Sequence, residues 1–128
     1  MRILMLLDTE FPPDIRVENE AQSLTDAGHE VHILSYNFGS KASEEIFKGI
    51  HIHRFAIPRQ LAKKMLGLLN QIPLYRTIWE REVKKLLNSL SFDAVHIHDL
   101  PLCCLIDSIK RNYNLQVTAD MHENYPYL

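Results

Sequence analysis

Apolar residues along this chain alternate between short continuous runs and longer stretches with helical spacing. The short runs are of strand length and rich in β-branched residues, which favours strands covered on both faces. Each longer stretch carries one apolar face and predicts an amphipathic helix. The predicted strands span residues 2–7, 31–35, 94–98 and 115–119, and the predicted helices begin near Asp14, Pro58, Pro73 and Pro101. This alternation predicts an α/β domain, with a Rossmann-like, doubly wound, mostly parallel sheet and helices on both faces.

Local signals set the ends of several elements. Asp14 is expected to cap the first helix, and Gly28 to end it in the left-handed conformation. Lys48-Gly49 separates two apolar segments and predicts a small strand pair. Asp99, two residues before the proline that opens a later helix, is expected to help satisfy the free N–H groups there.

Composition narrows the class of protein. A hydrophobic fraction of 46% in 128 residues is enough for one domain with its own core, spanning residues 1–128. The formal net charge of −2 argues against a general nucleic-acid binder. Adjacent Cys103 and Cys104 lack metal-ligand spacing, which favours reduced packing residues in a cytoplasmic protein. No apolar run reaches membrane-spanning length.

Polar residues follow three of the predicted strands, at residues 8–16, at His98-Asp99 and at residues 120–124. Ligands bind at this edge of an open parallel sheet, so the three clusters are expected to share one rim. Arg16 and the free N–H groups after Asp14 are suited to an anion. The simpler alternative, which the residues alone favour, is that Asp14 only caps the helix and Arg16 is solvated.

His-x-His occurs twice in predicted strands, at residues 51–53 and 96–98, which places each pair on one face. A metal site would need further ligands, for which His122, Asp99 and Asp120 are the candidates. Because His-x-His alone is weak evidence, we predict no metal and interpret these histidines as strand and core residues.

His122 is the best single candidate for catalysis, since it follows a strand and lies between acidic residues. Histidine there is suited to donating to a substrate hydroxyl or moving a proton near neutral pH. The alternative is a structural histidine that closes the turn. The basic amphipathic segment 59–69 has two interpretations as well: peripheral contact with an anionic membrane, or, as we favour, a helix that covers the sheet or rims a pocket.

Three motifs together carry a family resemblance. They are Phe11-Pro12-Pro13-Asp14 with Arg16-Val17 and Gly28-His29-Glu30-Val31, then Val95–Pro101, and last Asp120-Met121-His122-Glu123 with Tyr125-Pro126. The chain resembles the N-terminal, acceptor-side domain of family 4 glycosyltransferases of the GT-B fold. That family implies retaining transfer of a sugar from a nucleotide-sugar donor to a glycan, lipid or small-molecule acceptor, without a cofactor or metal. It also implies a missing C-terminal domain, little activity of the isolated domain, and an uncovered face that favours self-association.

The resemblance assigns roles to individual residues. His122 matches the histidine that contacts the transferred sugar, and His98 and Asp99 fall where the acceptor pocket is lined. Asp14 and Arg16 occupy the loop that often carries two glycines at the donor phosphates; this chain lacks those glycines. The final motif also places Glu123 and Asn124 among the expected substrate-binding residues.

Other functions stay open at this point. One is a nucleotide-sugar epimerase of the same architecture. Another is a metal-dependent hydrolase that uses His96, His98, Asp99 and His122. A third is a non-catalytic module that binds a glycan or a protein through the same rim.

Overall fold

A computed structural model describes residues 1–67 and 74–120. Six strands form one sheet in the order β3-β4-β2-β1-β5-β6, and all neighbours are parallel except the β3–β4 pair. The strands are β1 (Arg2–Glu10), β2 (Glu30–Asn37), β3 (Glu44–Phe47), β4 (Ile50–Ala56), β5 (Ala94–Ile97) and β6 (Gln116–Ala119). The helices are α1 (Ile15–Asp26), α2 (Arg59–Gly67), α3 (Leu74–Ser89) and α4 (Ile106–Tyr113), with a 3-10 turn at Leu100–Leu105 before α4. This architecture confirms the predicted Rossmann-like class.

The order of the parallel strands creates a switch point beside β1. From β1 the chain moves outward through β2 and β4, and later returns to the other side of β1 with β5 and β6. The connecting loops at the carboxyl ends of β1 and β5 therefore lead to opposite faces of the sheet. In open α/β sheets the crevice between two such strands is where ligands bind.

Two apolar layers cover the sheet, because β1 and β2 are apolar on both sides. On one face Met5, Leu7 and Ile33 pack against Val17 and Ala21 of α1. On the other face a larger core includes residues from α2, α3, the 3-10 turn and α4. Its members on those elements include Met65, Tyr75, Trp79, Val83, Leu102, Leu105 and Ile109.

Several local predictions are confirmed. Asp14 caps α1 by accepting from the N–H groups of Arg16 and Val17, at 3.2 and 3.3 Å. Gly28 follows α1 with φ +95°, and Lys48-Gly49 joins the antiparallel strands β3 and β4. Cys103 and Cys104 are free and partly buried, and burial raises the pKa of both thiols.

Two predictions are corrected. Strand β1 continues to Glu10 rather than ending at Leu7, so Asp8 belongs to the strand and not to the loop. The Asp99 carboxylate makes no capping hydrogen bond to the following helical turn. Instead its Oδ2 lies 3.4 Å from the backbone nitrogen of Asp8, across the gap between the strands. Tertiary contact at the strand ends thus replaces the local cap.

The loop between β1 and α1 is fixed by a buried arginine on β4. Arg54 donates from Nε and Nη2 to the carbonyl oxygen of Phe11, at 3.0 and 2.8 Å, and from Nη1 to that of Ala42 at 2.8 Å. Its guanidinium also pairs with Glu45. The Arg54 side chain is inaccessible to solvent, so these groups replace all of its hydration.

Candidate functional site

The switch-point crevice holds two carboxylates. Asp8 lies near the end of β1 and Asp99 directly after β5, and the contact from the Asp8 N–H to Asp99 joins the two strand ends. Burial raises the pKa of the Tyr36 hydroxyl on β2, and the two carboxylate charges raise it further. Carboxylates at this position are suited to accept hydrogen bonds from hydroxyl groups of a ligand.

Buried aromatic residues form a hydrogen-bonded group beside Asp8. The Tyr75 hydroxyl on α3 donates to Oδ2 of Asp8 at 3.0 Å, and Trp79 Nε1 donates to the Tyr36 hydroxyl at 3.0 Å. Burial and the nearby Asp8 charge raise the pKa of Tyr75, so this hydroxyl stays protonated and remains a donor. The hydrogen bond from Tyr75 thereby fixes the orientation of the Asp8 carboxylate, because Tyr75 is itself packed in the core.

A surface pocket of about 250 Å³ opens beside these residues. Arg59 and Lys63, both exposed on α2, supply its positive charge, and the Arg59 guanidinium lies 4.6 Å from the ring centroid of Phe38. The pocket therefore combines a carboxylate, two cations and aromatic surface. We call it the rim pocket; it is lined by Asp8, Thr9, Tyr36, Phe38, Arg59, Ala62, Lys63 and Tyr75.

The packing of α2 distinguishes between the two interpretations of the basic segment 59–69. Leu61, Ala62 and Met65 pack into the core, which turns the apolar side of this basic helix inward. The interpretation that this segment covers the sheet and rims a pocket is confirmed for residues 59–65. Residues 68 and 69 of the predicted segment 59–69 lie outside the described residues. Within the described parts of the chain, no helix has the length and apolar character needed to cross a membrane.

Asp14 and Arg16 lie at the start of α1. The Asp14 carboxylate is occupied as the helix cap, and Arg16 is exposed with its Nε 3.8 Å from Asp14 Oδ1. This matches the simpler interpretation of the pair. The Arg16 guanidinium faces solvent, so an anion can reach its charge.

His98 and Asp99, adjacent in sequence, lie on opposite faces of the sheet. Asp99 faces the side of Tyr36, whereas His98 is buried on the α1 side with its Nδ1 3.8 Å from Glu20 Oε2. Two further residues join His98 there. His96 stacks on its ring, and Asp120 lies 3.9 Å from Nε2 of His96. We call Glu20, His96, His98 and Asp120 the histidine–carboxylate cluster.

The second His-x-His pair belongs to a different network. His32 lies between His51 and His53 with nearly parallel rings, and its Nδ1 and Nε2 contact His53 Nε2 at 2.8 Å and Glu30 Oε1 at 2.9 Å. Burial lowers the pKa of His32 and of His53, while Glu30, bonded to His32 and Arg2, also has a lowered pKa. These histidines are satisfied structural residues, as the sequence interpretation held for residues 51–53.

The three remaining site predictions, His122, Glu123 and Asn124, lie outside the described residues. Asp120, the residue just before them, is tied to β5 by its N–H, which donates to the Ile97 carbonyl at 2.7 Å. Asp120 therefore lies at the carboxyl edge of the sheet, next to β5.

A sequence model described as Glycosyltransferase Family 4 matches residues 15–128. The chain belongs to glycosyltransferase family 4. The predicted identity as an N-terminal domain of this family is therefore confirmed. No curated protein gives a significant match to the sequence.

A solved structure gives the same fold for this family 4 domain. Sucrose-phosphate synthase from Thermosynechococcus elongatus is similar with a TM-score of 0.66 over 95% of this chain, at 14% identity. At that identity the likeness establishes the fold alone. The chain spans only 33% of the length of that synthase.

Sequence reasoning missed most of the rim pocket. Tyr75 was not among the candidate residues, and Tyr36 fell outside the predicted strand 31–35, whereas β2 continues to Asn37. Arg59 and Lys63 belong to the segment 59–69 that was expected to cover the sheet or rim a pocket, but the sequence did not show which groups they would face. Asp8 offered one signal, since it is the first charged residue after an apolar run that leads to the carboxyl edge.

Proposed function

We propose that this chain is the acceptor-side domain of a retaining glycosyltransferase that uses a nucleotide-sugar donor. The observation that carries the proposal is the rim pocket, which opens at the carboxyl end of β1 in a family 4 domain, beside the switch point. Its charged and aromatic residues are those that bind polyhydroxylated ligands: carboxylates for hydroxyl groups, and aromatic faces for the apolar side of a ring. A full enzyme would add a second domain that closes over this edge.

In this proposal the acceptor hydroxyl groups bind near Asp8 and Asp99. Asp8 is oriented by Tyr75, so the pocket is organised before the ligand arrives and little ordering is lost on binding. Arg59 and Lys63 would bind an anionic group on the acceptor, because guanidinium and ammonium groups form charge-assisted hydrogen bonds with phosphate or carboxylate.

The proposal puts the donor at the same edge, near the start of α1. The positive end of the α1 dipole and the exposed Arg16 guanidinium are suited to the donor diphosphate. His122 would contact the transferred sugar, with Glu123 and Asn124 beside it. Catalysis would then rest on positioning and on stabilisation of the leaving phosphate by fixed dipoles and charges.

The test is a transfer and donor-hydrolysis assay of the full-length protein over a panel of nucleotide sugars. We expect turnover with one donor, and its loss in His122→Ala but not in the control His51→Ala, whose histidine lies in the structural stack. Absence of turnover with every donor would contradict the proposal. Equal activity of His122→Ala and the wild type would remove His122 from the reaction centre.

Three further parts of the proposal have separate tests. Residues 1–128 alone are expected to give no turnover in the same assay, because the second domain holds the nucleotide. Peripheral membrane contact through 59–69 is the less favoured alternative, because the apolar side of α2 packs inward; it predicts sedimentation with anionic but not neutral vesicles. Self-association of the isolated domain predicts a mass above that of the monomer in light scattering, and a monomer at high concentration would count against it.

A further inference from the structure

The histidine–carboxylate cluster joins three elements on the α1 face of the sheet. His96 pairs with Met5 in β1, whose side chain packs against α1, so His96 and His98 project from β5 toward that helix. Glu20 reaches them from α1, and Asp120 from the end of β6. One ligand atom from each of these four residues lies within 4.8 Å of the others.

The spacing of these atoms is somewhat wider than that of an occupied metal centre. Zn²⁺ with bonds of about 2.0 to 2.1 Å in a tetrahedron separates its ligand atoms by about 3.3 Å. Glu20 Oε1 lies 3.3 Å from Nδ1 of His96, and Glu20 Oε2 lies 3.8 Å from Nδ1 of His98. Asp120 Oδ2 lies on the other side of the His96 ring, 3.9 Å from Nε2. Binding of one ion by all four residues requires the two stacked imidazoles to rotate as well as the partly exposed carboxylates.

Charge and burial also favour a cation. Two carboxylates meet two imidazoles, which are neutral in their metal-binding form, so the cluster has a formal charge of −2 that a divalent ion cancels. His98 is 1% exposed, and the Nε2 atom of His96 is buried without a hydrogen bond within the described residues. Two nitrogen and two oxygen ligands form a set that Zn²⁺ accepts, and four protein ligands are typical of a structural site.

We propose that the histidine–carboxylate cluster binds one structural Zn²⁺ ion, which ties α1 to the carboxyl ends of β5 and β6. The ion would fix His98, and with it the adjacent Asp99 at the crevice. The site differs from the metal centre considered from the sequence, since Glu20 and Asp120 take the places of Asp99 and His122. This inference does not depend on the proposed glycosyl transfer.

A second group of possible ligands, Glu30, His32 and His51, is a weaker candidate. Both ring nitrogens of His32 already contact protein groups within 3 Å, and an ion would have to break those contacts. This group therefore serves as an internal control.

The test is calorimetric titration of ZnCl₂ into tag-free, chelator-treated full-length protein, with melting curves alongside. We expect one Zn²⁺ per chain and a higher melting temperature with the metal. Glu20→Gln and Asp120→Asn should each weaken binding at least about tenfold, because each removes a charged ligand. Both residues are partly exposed, so these variants are expected to fold, and their circular dichroism checks this.

Two controls make the result specific. Glu18→Gln changes a neighbouring carboxylate of α1 that pairs with Lys48, and His51→Ala alters the second group; both should bind Zn²⁺ as the wild type does. The absence of one-to-one binding would overturn the proposal. Unchanged affinity in Glu20→Gln and Asp120→Asn, or loss of binding in His51→Ala alone, would overturn it equally.

Discussion

The Arg54→Met substitution tests how the loop before α1 is held. The methionine keeps much of the apolar stem but removes every guanidinium donor. The Phe11 carbonyl loses two hydrogen bonds from a charged donor, and Phe11 itself is fully buried, so little water can replace them.

The magnitude follows from which partners can be rehydrated. Hydrogen bonds that involve a charged group contribute about 1.5 to 3 kcal/mol each, and breaking a buried ion pair costs about 3 to 5 kcal/mol. The Glu45 side chain is 42% exposed and the Ala42 residue is exposed, so water recovers most of the loss at those two sites. The Phe11 carbonyl dominates, and we expect a loss of about 3 kcal/mol in the free energy of unfolding.

The assay is urea denaturation followed by fluorescence of Trp79, the single tryptophan, which is fully buried. Arg81→Met is the matched control, because its side chain is 63% exposed on α3 and its removal should change stability by less than about 0.5 kcal/mol. Arg54→Lys should fall between the two, since an ammonium cannot reproduce the guanidinium fork. A loss below about 1 kcal/mol in Arg54→Met would refute the reasoning.

Two other predictions concern stability. The pKa values of His32 and His53 are lowered by burial, so the unfolded chain binds more protons in acid; stability should be full above the ordinary histidine pKa of about 6.5 and fall below it, by at most about 1.4 kcal/mol per pH unit for each histidine. Urea midpoints measured between pH 7.5 and 5 check this, and a flat profile would contradict it. Asp14→Ala removes the α1 cap and should cost about 1 kcal/mol in the same denaturation assay, with most of the loss restored by Asp14→Ser. Equal stability of Asp14→Ala and the wild type would show that the cap contributes nothing.

Periodicity was enough to predict the sheet class because each strand and helix has its own apolar pattern. The cap at Asp14 and the turn at Lys48-Gly49 were also predictable, because both depend only on neighbours within a few residues. Asp99 illustrates the limit. It has the sequence position of a cap, yet its carboxylate contacts the backbone of Asp8, 91 residues away.

The candidate site was predictable only in its location. Parallel strands bring their carboxyl ends to one edge, so residues after β1 and β5 had to meet there. Which side chains face each other depends on packing between distant elements, and this placed Tyr75 against Asp8 and His98 against Glu20. Arg54 was missed because a charged residue in a strand reads as an exposed position, whereas here a remote backbone carbonyl accounts for its burial.

The central claim is that the rim pocket holds the acceptor, and kinetics of Asp8→Asn in the full-length enzyme tests it most directly. Asparagine keeps an acceptor for Tyr75 but removes the negative charge, so the pocket should stay folded and bind hydroxyl groups less well. With the donor and acceptor found in the transfer assay, the account predicts that KM for the acceptor rises about tenfold, as expected for about 1.4 kcal/mol of lost binding, while KM for the donor and its slow hydrolysis by water stay unchanged. A rise in donor KM with an unchanged acceptor KM would contradict the account and assign the pocket to the donor.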